Sequence, residues 1–175
     1  APGDVHWIGS MTGVRVCDFI YRPPLGAIPL TLSPGHFETL FCLQGSIHIR
    51  WKDGHNINLQ EREILLISDL SQIQEIRWTK NFAQGVLVAV DAAKAHESLH
   101  QLCTLMGGSP LNISQVKEIM RRQNGCAIIS QNAWNDAIFH TINDLTIKQR
   151  GQYCTFLAVE LLYLLCCGNH ILPWK

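Results

Sequence analysis

The chain has 175 residues, of which 47% are hydrophobic and 16% charged, and its 14 Lys and Arg balance 14 Asp and Glu. This composition is globular and excludes an intrinsically disordered chain. A net charge near zero provides no broad basic surface for phosphates, which argues against direct nucleic-acid binding. So few charges also indicate a protein that hides part of its surface in an oligomer.

Seven cysteines occur, an odd number with no Cys-x-x-Cys pair and mostly within apolar runs. This pattern is typical of reduced, buried thiols in a cytoplasmic protein, although the adjacent Cys166 and Cys167 leave a redox role open. The start of the chain, 1–8, lacks the apolar stretch of a secretory signal. The most apolar segment, 156–167, is shorter than the roughly 20 residues that span a bilayer, so we expect no membrane partner.

The first half of the chain has a β pattern, with short runs of β-branched and aromatic residues separated by turn residues. The sequence predicts strands at 14–21, 27–32, 36–43, 47–52, 56–59, 64–68, 73–79 and 85–90. Asp53-Gly54 lies between two alternating runs and is a strong hairpin signal. About eight short strands at regular spacing indicate a sandwich or barrel.

The second half has helical periodicity. Asp91 is expected to cap a first helix over 92–106, and Ser114 a second helix that ends near Gln123. Either Ser130 or Asn132 opens a third helix, and a fourth is predicted over 152–167. We therefore divide the chain into a β part, 1–91, and a helical part, 92–175.

The fourth predicted helix carries apolar residues around nearly its whole circumference. Such a helix must be buried on every side, which is difficult in a domain of this size. We therefore predict that part of it meets a second copy of the chain, through Leu157, Leu161, Leu164 and Leu165. The alternative is a central helix of the chain's own core.

The strongest local pattern in the β part is the alternating strand that starts at His36 and ends at the Gly45 turn. His36, Glu38, Leu40 and Cys42 share one face of this strand. If that face points inward, its polar groups orient a small ligand in an apolar cavity. Alternatively, His36 and Glu38 form a satisfied pair at the rim, or His36 is simply exposed.

Two tryptophans, Trp51 and Trp78, are further candidates to line such a cavity, with ordinary core packing as the alternative. The sequence contains no G-x-S-x-G nucleophile motif, no P-loop and no dinucleotide-binding glycine motif. We therefore expect no catalytic residues and no cofactor.

The order of these motifs resembles the cupin superfamily, in the form found at the N-terminus of AraC-type bacterial transcription regulators. Glu38 and Gly45 match that family's spacing, and Glu63 leads into a buried strand as in its second motif. The stretches FCLQGSIHI, REILLISD, GVLVAVD and VELLYLLC are similar to a set found in such regulators. The resemblance covers roughly 13–168.

The resemblance implies an α+β fold, with a cupin-like, jelly-roll type antiparallel β-barrel followed by a C-terminal helical segment. It also implies a domain that binds a small-molecule effector and forms a homodimer through its helices. The metal-binding histidines of cupins fall near Leu32, Pro34 and Ile73, and none of these is His. We therefore expect no metal and no enzymatic activity.

AraC-type regulators carry two helix-turn-helix units in a further C-terminal domain. In this chain the one basic cluster after 114 is Arg121, Arg122 and Gln123, and the last predicted helix has no cations. A recognition helix needs cations and amides directed at bases and phosphates. We thus expect DNA contact only through a domain after Lys175. The alternatives are a stand-alone cupin, either a metal-dependent enzyme or a small-metabolite binder.

Overall fold

The computed structural model describes residues 3–9, 11–23, 28, 30, 35–108, 111–167, 174 and 175. Within this part the chain forms nine strands and four helices. The strands are β1 (Gly3–Ile8), β2 (Val14–Tyr21), β3 (His36–Gln44), β4 (Ile47–Trp51), β5 (Asn56–Leu59), β6 (Ile64–Ile67), β7 (Ile73–Trp78), β8 (Ala83–Asp91) and β9 (Cys126–Ile129). The helices are α1 (Ala92–Leu105), α2 (Ile113–Arg122), α3 (Ala133–Asp144) and α4 (Ile147–Cys167).

The strands form two antiparallel sheets. The larger sheet has the order β1-β2-β8-β3-β6-β9, and the smaller has the order β5-β4-β7. One buried cluster lies between the sheets, and the other lies between the larger sheet and the helices. We call these the inter-sheet core and the helix-side core. The predicted α+β class, with jelly-roll type β structure followed by helices, is confirmed, and the described strands are arranged as two facing sheets.

Local sequence signals set several of these elements. Gly54, with φ of 91°, closes the β4–β5 hairpin at the predicted Asp53-Gly54 turn. The Asp91 side chain accepts hydrogen bonds from the first turn of α1, as predicted. Asn112, rather than Ser114, caps α2, and Asn132 caps α3. Both asparagine side chains accept from the backbone N–H three residues on. Asn132 is one of the two residues predicted to open α3, and Asn112 uses the same chemistry as the predicted Ser114.

Two strands were not predicted. β1 is an edge strand with mostly exposed side chains, so no buried face marks it in the sequence. β9 is four residues long and lies beyond the predicted boundary at 91, yet it pairs with β6 of the β part. The helical part therefore contributes to the larger sheet. The predicted strand at 27–32 lies largely outside the described residues.

Helix α4 begins at Ile147, five residues before the predicted start, and runs along the larger sheet. Leu157, Leu161 and Leu165 are buried in the helix-side core, and Leu164 is partly buried. The assignment of these leucines to a surface for a second subunit is therefore corrected. The alternative of a central core helix fits them, because the larger sheet and α2 cover this side of α4.

The opposite side of α4 is exposed. Its outward positions recur at intervals of three and four residues along the helix, at Gln149, Gln152, Phe156, Glu160, Tyr163 and Cys167. Phe156 is 73% exposed and Tyr163 40%. We call this row the α4 seam.

No helix in the described part of the chain has both the length and the apolarity needed to cross a bilayer.

Candidate functional site

Strand β3 divides its side chains between the two cores as its alternation predicts. Leu40 and Cys42 belong to the inter-sheet core, whereas Phe37 and Phe41 belong to the helix-side core. Glu38, two residues before Leu40, therefore points between the sheets, and its side chain is 0% exposed. It is flanked by Ala89 of β8 and Ile67 of β6.

A carboxyl group at this depth is costly to bury unless it has compensating interactions, so its presence marks a special position in an otherwise apolar interior. His36, the other polar residue predicted for this face, lies at the start of β3 and is half-buried. Its Nε2 atom is 3.8 Å from Oδ2 of Asp91, the residue that caps α1. His36 thus connects the start of β3 to the first helix.

The remaining predicted ligand residues lie at different levels of the inter-sheet core. Leu40 and Cys42 are fully buried. Burial, with the nearby Glu61 and Glu63, raises the pKa of the Cys42 thiol to about 12, so this thiol is neutral and unreactive. These two side chains fill the space between the sheets.

The two tryptophans lie at opposite ends of this core. Trp51 is buried, and its Nε1–H donates to the carbonyl oxygen of Asn124 at 3.2 Å. Asn124 precedes β9, whose Cys126 pairs with Ile67, the neighbour of Glu38. Trp78, by contrast, packs with the rings of Phe19 and Tyr21, at centroid distances of 5.9 and 6.1 Å.

The structure therefore does not bring the six predicted residues together in one cavity. Phe19 pairs with Gly85, which also pairs with Cys42, so Cys42 and Trp78 belong to one end of the two-sheet body. Glu38 and Trp51 belong to the other end. The indole N–H of Trp78 is buried and has no hydrogen-bond partner among the described residues.

A cleft of about 840 Å³ opens beside the Glu38 end. One wall is the turn between β6 and β7, with Ser68, Asp69 and Ser71, and the other is α2, with Lys117 and Arg121. Gly35, just before β3, and the Asn124–Gly125 turn complete it. Sequence reasoning missed this site because its walls come from segments about 50 residues apart. Arg121 was noted, but only as part of a basic cluster unsuited to reading DNA, and Lys117 was not singled out.

The described residues contain no group of three or more His, Cys, Asp or Glu side chains placed to hold a metal ion. Two of the positions where cupins carry metal-binding histidines, Leu32 and Pro34, lie outside the described residues. The third, Ile73, is partly buried at the edge of the inter-sheet core.

A buried ion pair connects the two-sheet body to α4. Nε of Arg150 donates to Oδ2 of Asp18 on β2 at 3.0 Å. Burial raises the pKa of Asp18, and the guanidinium of Arg150 counteracts part of that effect. On the neighbouring strand β1, Ile8 packs closely on Gly151 of α4, the residue after Arg150.

No family model matches this chain, and no curated protein matches it. Solved structures are similar at low sequence identity. ToxT from Vibrio cholerae is 10% identical, with a TM-score of 0.45 over 89% of this chain and 56% of its own. An RmlC-like cupin family protein with a double-stranded β-helix fold, from Methanocaldococcus jannaschii, is 16% identical, with a TM-score of 0.36 over 52% of this chain and 83% of its own.

Two further similarities involve longer proteins. YlbA from E. coli is 12% identical over 51% of this chain, with a TM-score of 0.39, and the chain spans 38% of its length. Oxalate decarboxylase OxdC from Bacillus subtilis is 17% identical over 65% of this chain, with a TM-score of 0.34, and the chain spans 34% of its length. At these identities and TM-scores, no conclusion about function rests on them.

The chain's own strands and helices define its fold, a jelly-roll type arrangement of two facing antiparallel sheets with helices on the larger one. The expectation that it is not an enzyme is corrected: neither the sequence nor these distant and partial similarities decide whether it is one. The absence of familiar nucleophile motifs does not exclude catalysis on a fold of this kind.

Proposed function

We propose that this chain is the ligand-sensing and dimerisation domain of an AraC-type transcription regulator. In this proposal a small-molecule effector binds to the two-sheet body and controls DNA binding by a helix-turn-helix domain encoded after Lys175. The protein then works in the cytoplasm of a bacterium. The order of the sequence motifs supports the proposal, as does the succession of a β body and a long final helix.

The observation that carries the proposal is the α4 seam. Phe156 and Tyr163 stand on the outward side of a helix whose inward side is anchored in the helix-side core. Exposed aromatic side chains at seven-residue spacing, with the partly buried Val159 between them, suit helix–helix packing with a second copy. The predicted homodimer is therefore retained, with these residues in place of the buried leucines.

For effector binding to affect dimerisation, a change in the two-sheet body must be transmitted to α4. The Asp18–Arg150 ion pair ties β2 to the first part of α4, and Gly151 rests on Ile8 of β1. A shift of the sheet on binding would therefore be passed to α4. An effector changes pairing only if it binds one arrangement of these elements better than another.

Sedimentation equilibrium of wild type, Phe156→Glu and Leu105→Glu over a concentration series tests the proposal. Leu105 is 85% exposed at the end of α1 and is not part of the seam, so its substitution is a matched control for adding a charge at an exposed apolar site. We expect a dimer for wild type and Leu105→Glu, and a monomer for Phe156→Glu. Circular dichroism checks that both variants are folded.

A wild-type chain that remains monomeric at the highest concentration would contradict the proposal. So would a Phe156→Glu variant that pairs as tightly as Leu105→Glu, because the α4 seam would then not be the pairing surface.

A further inference from the structure

The cleft beside the Glu38 end is distinct from the interior of the two-sheet body. The inter-sheet core is filled by side chains such as Leu40, Leu65 and Leu87, which are at most 1% exposed. The cleft lies outside this packing, and most of its lining residues are polar. A volume of about 840 Å³ is within the range of sites that hold small organic molecules.

The walls of the cleft are held in place by the backbone. The N–H groups of Ser68 and Asp69 both donate to the carbonyl oxygen of Gly125, at 2.8 and 3.3 Å. Asp69 accepts further hydrogen bonds from the backbone N–H and the hydroxyl of Ser71. Gly125 has φ of 81°, and a Cβ there would lie 2.4 Å from the Asp69 carbonyl oxygen. The two turns therefore lie in close backbone contact, which holds this part of the cleft wall together.

The α2 wall is cationic. Lys117 makes no ion pair with any described residue, and its Nζ lies 4.0 Å from the place where a Cβ on Gly35 would be. Its amine therefore reaches across the cleft to the start of β3. Arg121 is held by Glu118 on the same helix, with Nη2–Oε1 at 2.7 Å and Nε–Oε2 at 3.1 Å. This contact engages Nε and Nη2 and leaves Nη1 of the guanidinium outside the pair with Glu118.

The turn wall has the opposite character. The hydrogen bonds from Ser71 hold the pKa of the Asp69 carboxyl below its usual range, so this group is ionised at neutral pH. A carboxylate has more acceptor positions than the two that Ser71 occupies. The hydroxyl of Ser68 and the amide of Asn124 add neutral hydrogen-bonding groups. A ligand that matches both walls needs an anionic end and hydrogen-bond donors elsewhere.

We propose that this cleft binds a small hydroxylated anion, with its oxyanion at Lys117 and Arg121 and its hydroxyl groups at Asp69 and Asn124. Sugar phosphates and sugar acids both have this chemistry. The inference names the ligand class of the effector and in that respect rests on the proposed function. Asp69 disfavours polyanions without donors, because such ligands would face a carboxylate.

Trp51 is placed to report occupancy. Its indole N–H donates to the carbonyl oxygen of Asn124, a cleft residue with φ of 55°, and its ring stacks on His55 at 4.8 Å. A ligand that contacts Asn124 changes the surroundings of this indole. We therefore expect the fluorescence change on binding to disappear in Trp51→Phe while binding itself persists.

Isothermal titration calorimetry with four probes tests the inference: glucose 6-phosphate, gluconate, inorganic phosphate and glucose. We expect saturable binding of glucose 6-phosphate, gluconate or both, and this pattern distinguishes the two sources of the oxyanion. Phosphate alone should bind more weakly, and glucose should not bind. Lys117→Gln should weaken binding about tenfold, as for the loss of a charge-assisted hydrogen bond.

Arg122→Gln is the matched control, because Arg122 is exposed on the same helix but does not line the cleft. It should change the affinity less than about twofold, since a charge on that side is screened by solvent. The inference is overturned if neither organic anion binds at millimolar concentration, if glucose binds as tightly as its 6-phosphate, or if both variants lose affinity equally.

The two proposals fail in different ways. Absence of binding in a chain that still forms a dimer overturns the ligand class alone. Binding of a sugar phosphate or sugar acid by a chain that remains monomeric supports the ligand class and overturns the regulator proposal.

Discussion

Arg150 on α4 donates to Asp18 on β2 across 132 residues of sequence, and this ion pair lies at the junction between the larger sheet and the final helix. The Asp18 side chain is 1% exposed and that of Arg150 11%. A buried pair of this kind is a weak source of net stability, but the loss of one partner leaves an uncompensated charge.

Replacing Arg150 with Met should therefore destabilise the protein by about 3 kcal/mol, because Asp18 would be left buried without its partner. The double variant Asp18→Asn, Arg150→Met should recover part of this loss, since no uncompensated charge remains. Urea unfolding followed by circular dichroism measures both. A single variant as stable as the wild type would show that solvent reaches Asp18 freely.

The same carboxyl group predicts a pH dependence. Because the pKa of Asp18 is raised in the folded state by burial, the folded chain binds this proton more tightly than the unfolded chain. Its contribution to stability is therefore fully present below the ordinary pKa of an aspartate and is lost as the pH rises through the raised folded value. The free energy of unfolding of wild type, minus that of Asp18→Asn, should decrease over this window. Asp4→Asn, at an exposed carboxyl on β1, controls for the loss of a charge. An increase over the window would contradict the prediction.

Two turn glycines allow the energetic cost of backbone strain to be distinguished from that of a steric clash. Gly54 and Gly125 both have positive φ, but a Cβ at Gly54 would meet nothing within 4 Å. Gly54→Ala should lower the free energy of unfolding by about 1 kcal/mol, because a residue with a Cβ is strained in the left-handed conformation. Gly125→Ala should lower the free energy of unfolding by about 3 kcal/mol, because its Cβ would also collide with the backbone of Asp69. Equal losses in urea unfolding would show that the turn at 68–72 can move away.

Thiol labelling should distinguish the cysteines by burial. Burial raises the pKa of Cys17 to about 11 and that of Cys126 to about 12, whereas Cys167 is exposed at the end of α4. At pH 8 we expect one cysteine to react rapidly with iodoacetamide in the native protein, because a neutral buried thiol is a poor nucleophile. Peptide mass spectrometry should place the label on Cys167, and Cys167→Ser should remove it. Performing the labelling in Phe156→Glu prevents pairing from covering this site. Rapid labelling of Cys17 would contradict the assigned burial.

Local patterns allowed many elements to be predicted. β2 and β5 begin and end at the predicted residues, and α1 begins after Asp91 as expected. Period-two alternation also indicated which side chains of β3 share a face. These features depend on neighbouring residues, so they are visible in the chain itself.

The missed features depend on partners distant in sequence. β9 is recognisable as a strand only through its pairing with β6, and the α4 leucines are buried only because the larger sheet and α2 cover them. An apolar helix looks the same in sequence whether its own domain or a second subunit covers it. The cleft likewise exists only once Lys117 faces the turn after β6.

The sequence by itself therefore determined the β-then-helix order, the main turns and most caps, and which side chains share a face of β3 with Glu38. That this face points between the sheets followed only from the tertiary structure. Only the tertiary structure decided which face of α4 stays exposed, how β1 and β9 extend the sheet, and where polar groups converge. The physical reason is that periodicity specifies a side chain's direction relative to its own backbone. Burial and proximity depend instead on what the rest of the chain places opposite it.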